Sequence, residues 1–232
     1  AQLPLVFQPG TEWNYGISTD VLGRIVEVVS GLDLEEYFQR NILGPLRMTD
    51  TSFYIDDADR KSRLAELYIP HPETGVATPA PAFLRRPERP SMLSGGGGLY
   101  GTAADYLRFC QMILNGGSLN SEQVIGRHTL DYMGKNHLPG NVDLEAIGRP
   151  LFAESAFVGV GFGLGFSVVI DAAASKVPSS TGEMAWGGAA STAFWVDPTE
   201  DLAVVFLTQL LPSSTHTIRP ELKQLVYQAL VD

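Results

Sequence analysis

The sequence is poor in cysteine, in positive charge and in long apolar runs, and each shortage removes a class of protein. A single cysteine, Cys110, excludes an intrachain disulfide and any thiolate cluster for zinc or iron–sulfur, and leaves the redox compartment open. Lys plus Arg number 16 against 26 Asp plus Glu, a formal net charge of −10. That balance offers no electrostatic footprint to a phosphate backbone or an anionic lipid surface, so neither nucleic acid nor membrane is an expected partner. The longest apolar stretches, such as residues 202–207, are of strand length, far short of the roughly 20 residues a membrane-spanning helix needs. His71, His128, His137 and His216 stand apart, without His-Glu-x-x-His or paired acids at metal spacing, so no metal site and no cofactor is expected. Gly-x-Ser-x-Gly does not occur, which removes the α/β-hydrolase nucleophile elbow. The opening Ala1-Gln2-Leu3-Pro4 has no Met, no basic segment and no secretory apolar core, and reads as the interior of a longer sequence with its localisation illegible.

What is present suits a folded domain: 232 residues, 44% hydrophobic and 18% charged, with 11 Phe, 8 Tyr and 3 Trp. Residues 18–31 place Val21, Leu22, Ile25, Val28 and Val29 on one helical face, with Ser18 or Thr19 as N-cap and Gly31 as C-cap. A second helix is expected over 34–43, opened by an Asp33/Glu36 capping box and stopped by Gly44-Pro45. Six prolines break every period between 50 and 90, so an irregular excursion is expected there, with one short strand near 65–69. The glycine run 95–98 leads to a Thr102/Asp105 capping box and a helix to about Leu114, and a further helix is expected over 121–133.

Beyond about Val158 the period becomes strand-like. Residues 160–170, 185–196 and 202–207 read as three adjacent strands, the last buried on both faces, with 197–201 as a hairpin turn between the last two. Pro220 at a helix N1 position, followed by Leu222, Leu225, Val226, Ala229 and Leu230, predicts a terminal helix covering the sheet. The fold class is therefore α+β, with a mainly helical and irregular part over 1–157 and sheet strands plus a C-terminal helix over 158–232. Three strands leave open edges, so further strands are expected to pair with them.

Three segments bear on chemistry. The run 96–101 fits Gly-x-Gly-x-x-Gly, but no good strand precedes it, so it reads as a flexible or tightly packed glycine loop rather than a dinucleotide site. Tyr15 sits just before a helix, where its hydroxyl either projects into a cleft or is a packed aromatic's satisfied group. Trp186-Gly187-Gly188-Ala189 opens a strand, where glycine means a bulge or the close approach of a ligand or another backbone.

Taken together and in order, these blocks resemble the serine β-lactamase-like family, which includes class C β-lactamases, DD-peptidases and family VIII carboxylesterases. The resemblance runs through 9–15, the 18–31 helix, 42–51, 95–109 and 186–208, most of the chain. It implies that Tyr15-Gly16-Ile17 occupies the position of the Tyr-x-x motif, whose hydroxyl handles protons at the nucleophile. It further implies that Trp186-Gly187-Gly188 lines the cleft where lactamases carry Lys-Thr-Gly, with the Ala189 N–H contributing to the oxyanion hole. Acyl transfer needs both parts: a proton acceptor beside the nucleophile and fixed donors where the oxyanion develops.

The departures carry as much weight. The family nucleophile is the Ser of Ser-x-x-Lys, yet Lys61, Lys135, Lys176 and Lys223 are preceded three positions earlier by Ala58, Tyr132, Ala173 and Pro220. The expectation is an incomplete, C-terminal part of a β-lactamase/transpeptidase-like domain, with the nucleophile on an upstream segment. Trp186 replaces the cation that lactamases direct at the β-lactam carboxylate, so small esters become the expected substrate. β-Lactam or peptidoglycan substrates, and a non-catalytic ligand-binding homologue, remain the alternatives. Expected partners are thus a small-molecule ester or β-lactam, and the protein's own upstream segment or another copy of the chain.

Overall fold

The computed structural model describes residues 4–85, 87–149 and 157–231. Helix α1 (Ser18–Ser30) ends on Gly31 in the left-handed region at φ 74°, as its sequence requires. Its N-cap is Ile17, with no side-chain cap, so neither Ser18 nor Thr19 serves. Helix α2 (Leu34–Phe38) is capped by Asp33, whose Oδ1 accepts the Glu36 N–H at 2.8 Å, and continues as a π-helical turn over Gln39–Leu43. The Glu36 carboxylate turns outward to Arg40, leaving the capping box half-formed.

The proline-rich excursion holds α3 (Ala58–Ser62) and a small hairpin of β1 (Tyr68–Pro70) and β2 (Ala77–Pro79). Helix α4 (Ala103–Leu114) is capped by Thr102, whose hydroxyl oxygen accepts the Asp105 N–H. The expected helix over 121–133 is only half present. A hairpin of β3 (Ser118–Leu119) and β4 (Glu122–Gln123) turns through Asn120 and Ser121, both at positive φ as a two-residue hairpin turn demands. Helix α5 (Arg127–Met133) then follows, and α6 (Leu144–Ile147) precedes the main sheet.

That sheet has five antiparallel strands in simple meander order, where sequence periodicity suggested three. Gly165, at φ 102°, splits 160–170 into β5 (Val160–Phe162) and β6 (Ser167–Val169). Helix α7 (Ala172–Ser175) leads on to β7 (Met184–Gly187) and β8 (Ala193–Asp197), which are separated by a turn inside the expected 185–196 strand. Strand β9 (Leu202–Phe206) pairs with β8 and ends the sheet among the described residues. It is half-buried along its length rather than enclosed on both faces. Helix α8 (Ile218–Gln228) closes the chain, with Pro220 two positions inside the helix rather than at its first residue.

Alternation along the strands gives the sheet two faces. Val168, Met184, Phe194 and Val196 join Cys110, Met112 and Ile113 of α4 and Leu43, Leu46 and Met48 in the main core. Burial pushes the Cys110 thiol up to about 12, as expected of a cysteine that packs as a small hydrophobe. The opposite face presents Ala185, Gly187, Ala193 and Trp195, and α8 lies on that side. This helix is seated mainly by polar groups: Lys223 Nζ bonds buried Glu183 at 2.6 Å, and Tyr227 bonds Glu183 and buried Asp197. The glycine run 95–98 is tightly packed at its ends, where a Cβ on Gly95 would strike the Thr19 carbonyl and one on Gly98 the Phe53 ring, and open at Gly97.

Candidate active site

Tyr15 is placed by a short bridge. The Trp13 N–H donates to the Ile147 carbonyl at 3.0 Å and the Arg149 N–H donates to the Trp13 carbonyl at 3.0 Å, fixing this segment beside the end of α6. A Glu12–Arg149 ion pair at 2.5 Å ties the same two segments. Only two residues then separate Tyr15 from α1, so the phenol projects from a link anchored at both ends. Its ring is 52% exposed, and its hydroxyl has no hydrogen-bond partner among the described residues.

Four aromatic rings meet here. Tyr15 lies 5.8 Å from Trp186 and 6.4 Å from Trp13, centroid to centroid, while Phe162 sits 4.9 Å from Trp13 and 5.4 Å from Trp186. Tyr15, Trp186, Gly187 and Ala189 all line one cavity of about 450 Å³, which also reaches Arg219 and Lys223 of α8. Four of the five residues singled out in the sequence therefore converge on one space. Gly188 contributes backbone to the turn and is not part of the lining.

The β7–β8 turn is over-determined. The Gly188 N–H donates to the Thr192 carbonyl at 3.0 Å and the Thr192 hydroxyl at 3.1 Å, and the Ser191 N–H donates to the Gly188 carbonyl at 3.1 Å. Ser191, buried and at φ 65°, sends its hydroxyl to the Leu210 carbonyl, while the Leu210 N–H returns to Ala190. Arg219 completes the set with bonds to the carbonyls of Gly188 and Thr192. The Ala189 N–H, by contrast, donates to no carbonyl among the described residues, and Ala189 lines the cavity.

The two glycines of Trp186-Gly187-Gly188 acquire a physical reason here, and it is protein rather than ligand that approaches. A Cβ on Gly187 would lie 2.5 Å from the Arg219 guanidinium carbon, and one on Gly188 would overlap the Thr192 hydroxyl. The lining cations are already engaged, Arg219 with backbone carbonyls and Lys223 with Glu183. Sequence reasoning missed Arg219, Trp13 and Phe162. The i, i+4, i+8 spacing of Arg219, Lys223 and Tyr227 was a readable signal for a polar stripe on α8. Among the described residues no group of three or more His, Cys, Asp or Glu is arranged to hold a metal ion, and no helix is long and apolar enough to cross a membrane.

A five-stranded antiparallel sheet with helices on one face, a closing helix on the other and a tyrosine facing a strand-borne Trp-Gly-Gly defines the β-lactamase/transpeptidase class of fold. The chain belongs to the Beta-lactamase family, whose model matches residues 1–228. It is 35% identical over 223 residues to Protein Rv1367c of Mycobacterium tuberculosis, covering 91% of this chain and 52% of that protein. It is 30% identical over 220 residues to Esterase EstB of Burkholderia gladioli, covering 90% and 52%. The structure of EstCE1, a hydrolase with promiscuous acyltransferase activity, superposes with a TM-score of 0.72 at 28% identity, over 94% of this chain and 57% of that one. The chain thus spans about half the length of the curated relatives it matches, among which esterase and acyltransferase activities both occur.

Proposed function

We propose that the protein to which these residues belong is a serine hydrolase that cleaves small neutral esters through an acyl-enzyme. The observation that carries this reading is the convergence of the unpartnered Tyr15 hydroxyl and the uncommitted Ala189 N–H on one aromatic-walled cavity. A serine outside these 232 residues attacks the ester carbonyl while its proton passes to the Tyr15 oxygen, and the oxyanion forms against the Ala189 N–H. The same proton then leaves with the alcohol, and water, activated in the reverse sense, releases the acid. A phenol, with an ordinary pKa near 10, acts as base only beside a cation. Since Lys223 is paired with Glu183, that cation is expected to arrive with the nucleophile.

The upstream segment is also the partner this reading requires. It is supported by the apolar face of α1, where Val21, Leu22, Ile25, Val28 and Val29 are 50–81% exposed, and by the outer edge of β9, which pairs with no strand among the described residues. Esters are preferred over β-lactams because Trp186 replaces a cation and the nearby cations are engaged by the protein itself.

The test uses the full-length gene product with short-chain p-nitrophenyl esters and with nitrocefin. Ester turnover should exceed nitrocefin turnover, and Tyr15→Phe should lower kcat by about 10² or more. A Tyr15→Phe enzyme at wild-type rate would remove Tyr15 from the chemistry. Faster nitrocefin turnover would reassign the substrate, and binding without turnover would favour a non-catalytic homologue.

A further inference from the structure

We infer that Arg219 is a positioning residue for oxyanion stabilisation, because it fixes and polarises the peptide unit that carries the Ala189 N–H, a donor with no backbone acceptor among the described residues. This rests on the role proposed above for the Ala189 N–H. The Gly188 carbonyl and the Ala189 N–H belong to the same planar trans peptide, so they point in opposite directions and move as one body. Arg219 Nη2 donates to the Gly188 carbonyl at 2.6 Å and to the Thr192 carbonyl at 2.9 Å, and Nε reaches Thr192 at 3.2 Å. The Ser191 N–H takes the second lone pair of the Gly188 carbonyl. With both lone pairs held, the peptide cannot flip, and the Ala189 N–H is directed away from Arg219.

The charge acts through the same peptide. A guanidinium at the carbonyl end draws electron density from the amide nitrogen, which makes the N–H a stronger donor, as in any polarised chain of hydrogen bonds. The planar fork grips the Thr192 carbonyl through both Nε and Nη2 while Nη2 also holds the Gly188 carbonyl, a fixed two-nitrogen geometry that a lysine's single, freely rotating ammonium lacks. Gly187 is part of the device, since any side chain there would occupy the guanidinium's place. The seat of Arg219 is itself fixed from below: Lys223 and Tyr227, one and two turns further along α8, bind Glu183 and Asp197.

The test compares Arg219→Lys, Arg219→Gln and Gly187→Ala in the full-length protein. Each should lower kcat on p-nitrophenyl acetate by at least about tenfold while KM stays within about twofold, because the contact strengthens only in the transition state. Each should also accelerate amide hydrogen exchange at Gly188 and Ser191 by about tenfold or more, with exchange in α4 unchanged as the measure of intact folding. Unchanged exchange at Gly188 and Ser191 overturns the clamp. Faster exchange with unaltered kcat overturns its catalytic use. A wild-type protein that turns over no ester shows instead that the functional reading has failed and takes the catalytic half of this inference with it, leaving exchange to decide the clamp alone.

Discussion

Glu183 shows how a single proton is written into the geometry. Tyr227 has one phenolic hydrogen, yet its oxygen lies 2.8 Å from Glu183 Oε2 and 2.5 Å from Asp197 Oδ2. That single hydrogen is directed at two carboxyl oxygens at once, so the two buried acids share one neutral donor. Asp197 Oδ1 accepts the Thr199 N–H at 3.0 Å and the Glu200 N–H at 3.4 Å. Burial raises Glu183 above its ordinary 4.5, with Lys223 and Tyr227 opposing the shift and Asp197 adding to it. The native state therefore holds the Glu183 proton to higher pH than the unfolded chain does. Its contribution to stability is full below the ordinary Glu value and is lost as pH rises through the higher native one. Urea denaturation should accordingly show a stability loss above about pH 4.5 that Glu183→Gln flattens. Asp33, held low by the Glu36 N–H and Arg89, and Asp50, held low by Arg63, act in the opposite sense at more acid pH. The difference between wild type and variant isolates Glu183, and identical slopes would contradict the upward shift at Glu183.

At the scale of elements, the two long helices that flank the site are amphipathic in different ways. Helix α1 was legible from its apolar period and its Gly31 stop, but the face that period defines is exposed. Helix α8 was legible as a helix, yet Leu225 and Leu230 face outward, and the polar stripe Arg219, Lys223 and Tyr227 makes the seat. Apolar periodicity reports which side of a helix wants cover; it does not register polar side chains whose partners are distant in sequence. The same limit explains the strands. Gly165 and the 188–192 turn divide stretches whose residue types are uniformly strand-forming, and only their φ angles and cross-strand bonds show the division. Tyr15 and Trp186 were found because a family pattern gives them roles, whereas Trp13, though inside the matching block 9–15, and Phe162 were given none and join them through folding. For α1, Val29→Glu in the full-length protein should cost about 2 kcal/mol or more, the worth of a buried valine. A change below about 0.5 kcal/mol in denaturant unfolding would show that nothing covers that face.

At the scale of the whole molecule, the described residues bring Tyr15 and Ala189, to which we assign the proton relay and one oxyanion donor, to the wall of one cavity, and the sequence contains no Ser-x-x-Lys. The chain spans about half the length of the curated relatives it matches, and in the reading proposed above the catalytic domain is completed by residues beyond these 232. That reading divides the chemistry, with the nucleophile and its cation on one part of the chain and the groups that receive its proton and charge on the other. The most direct test is to treat the full-length protein with a fluorophosphonate probe and to map the labelled serine by peptide mass spectrometry. The account predicts a single adduct on a Ser-x-x-Lys serine outside these residues, abolished when that serine is replaced by alanine. An adduct on a serine within the 232 residues would contradict it.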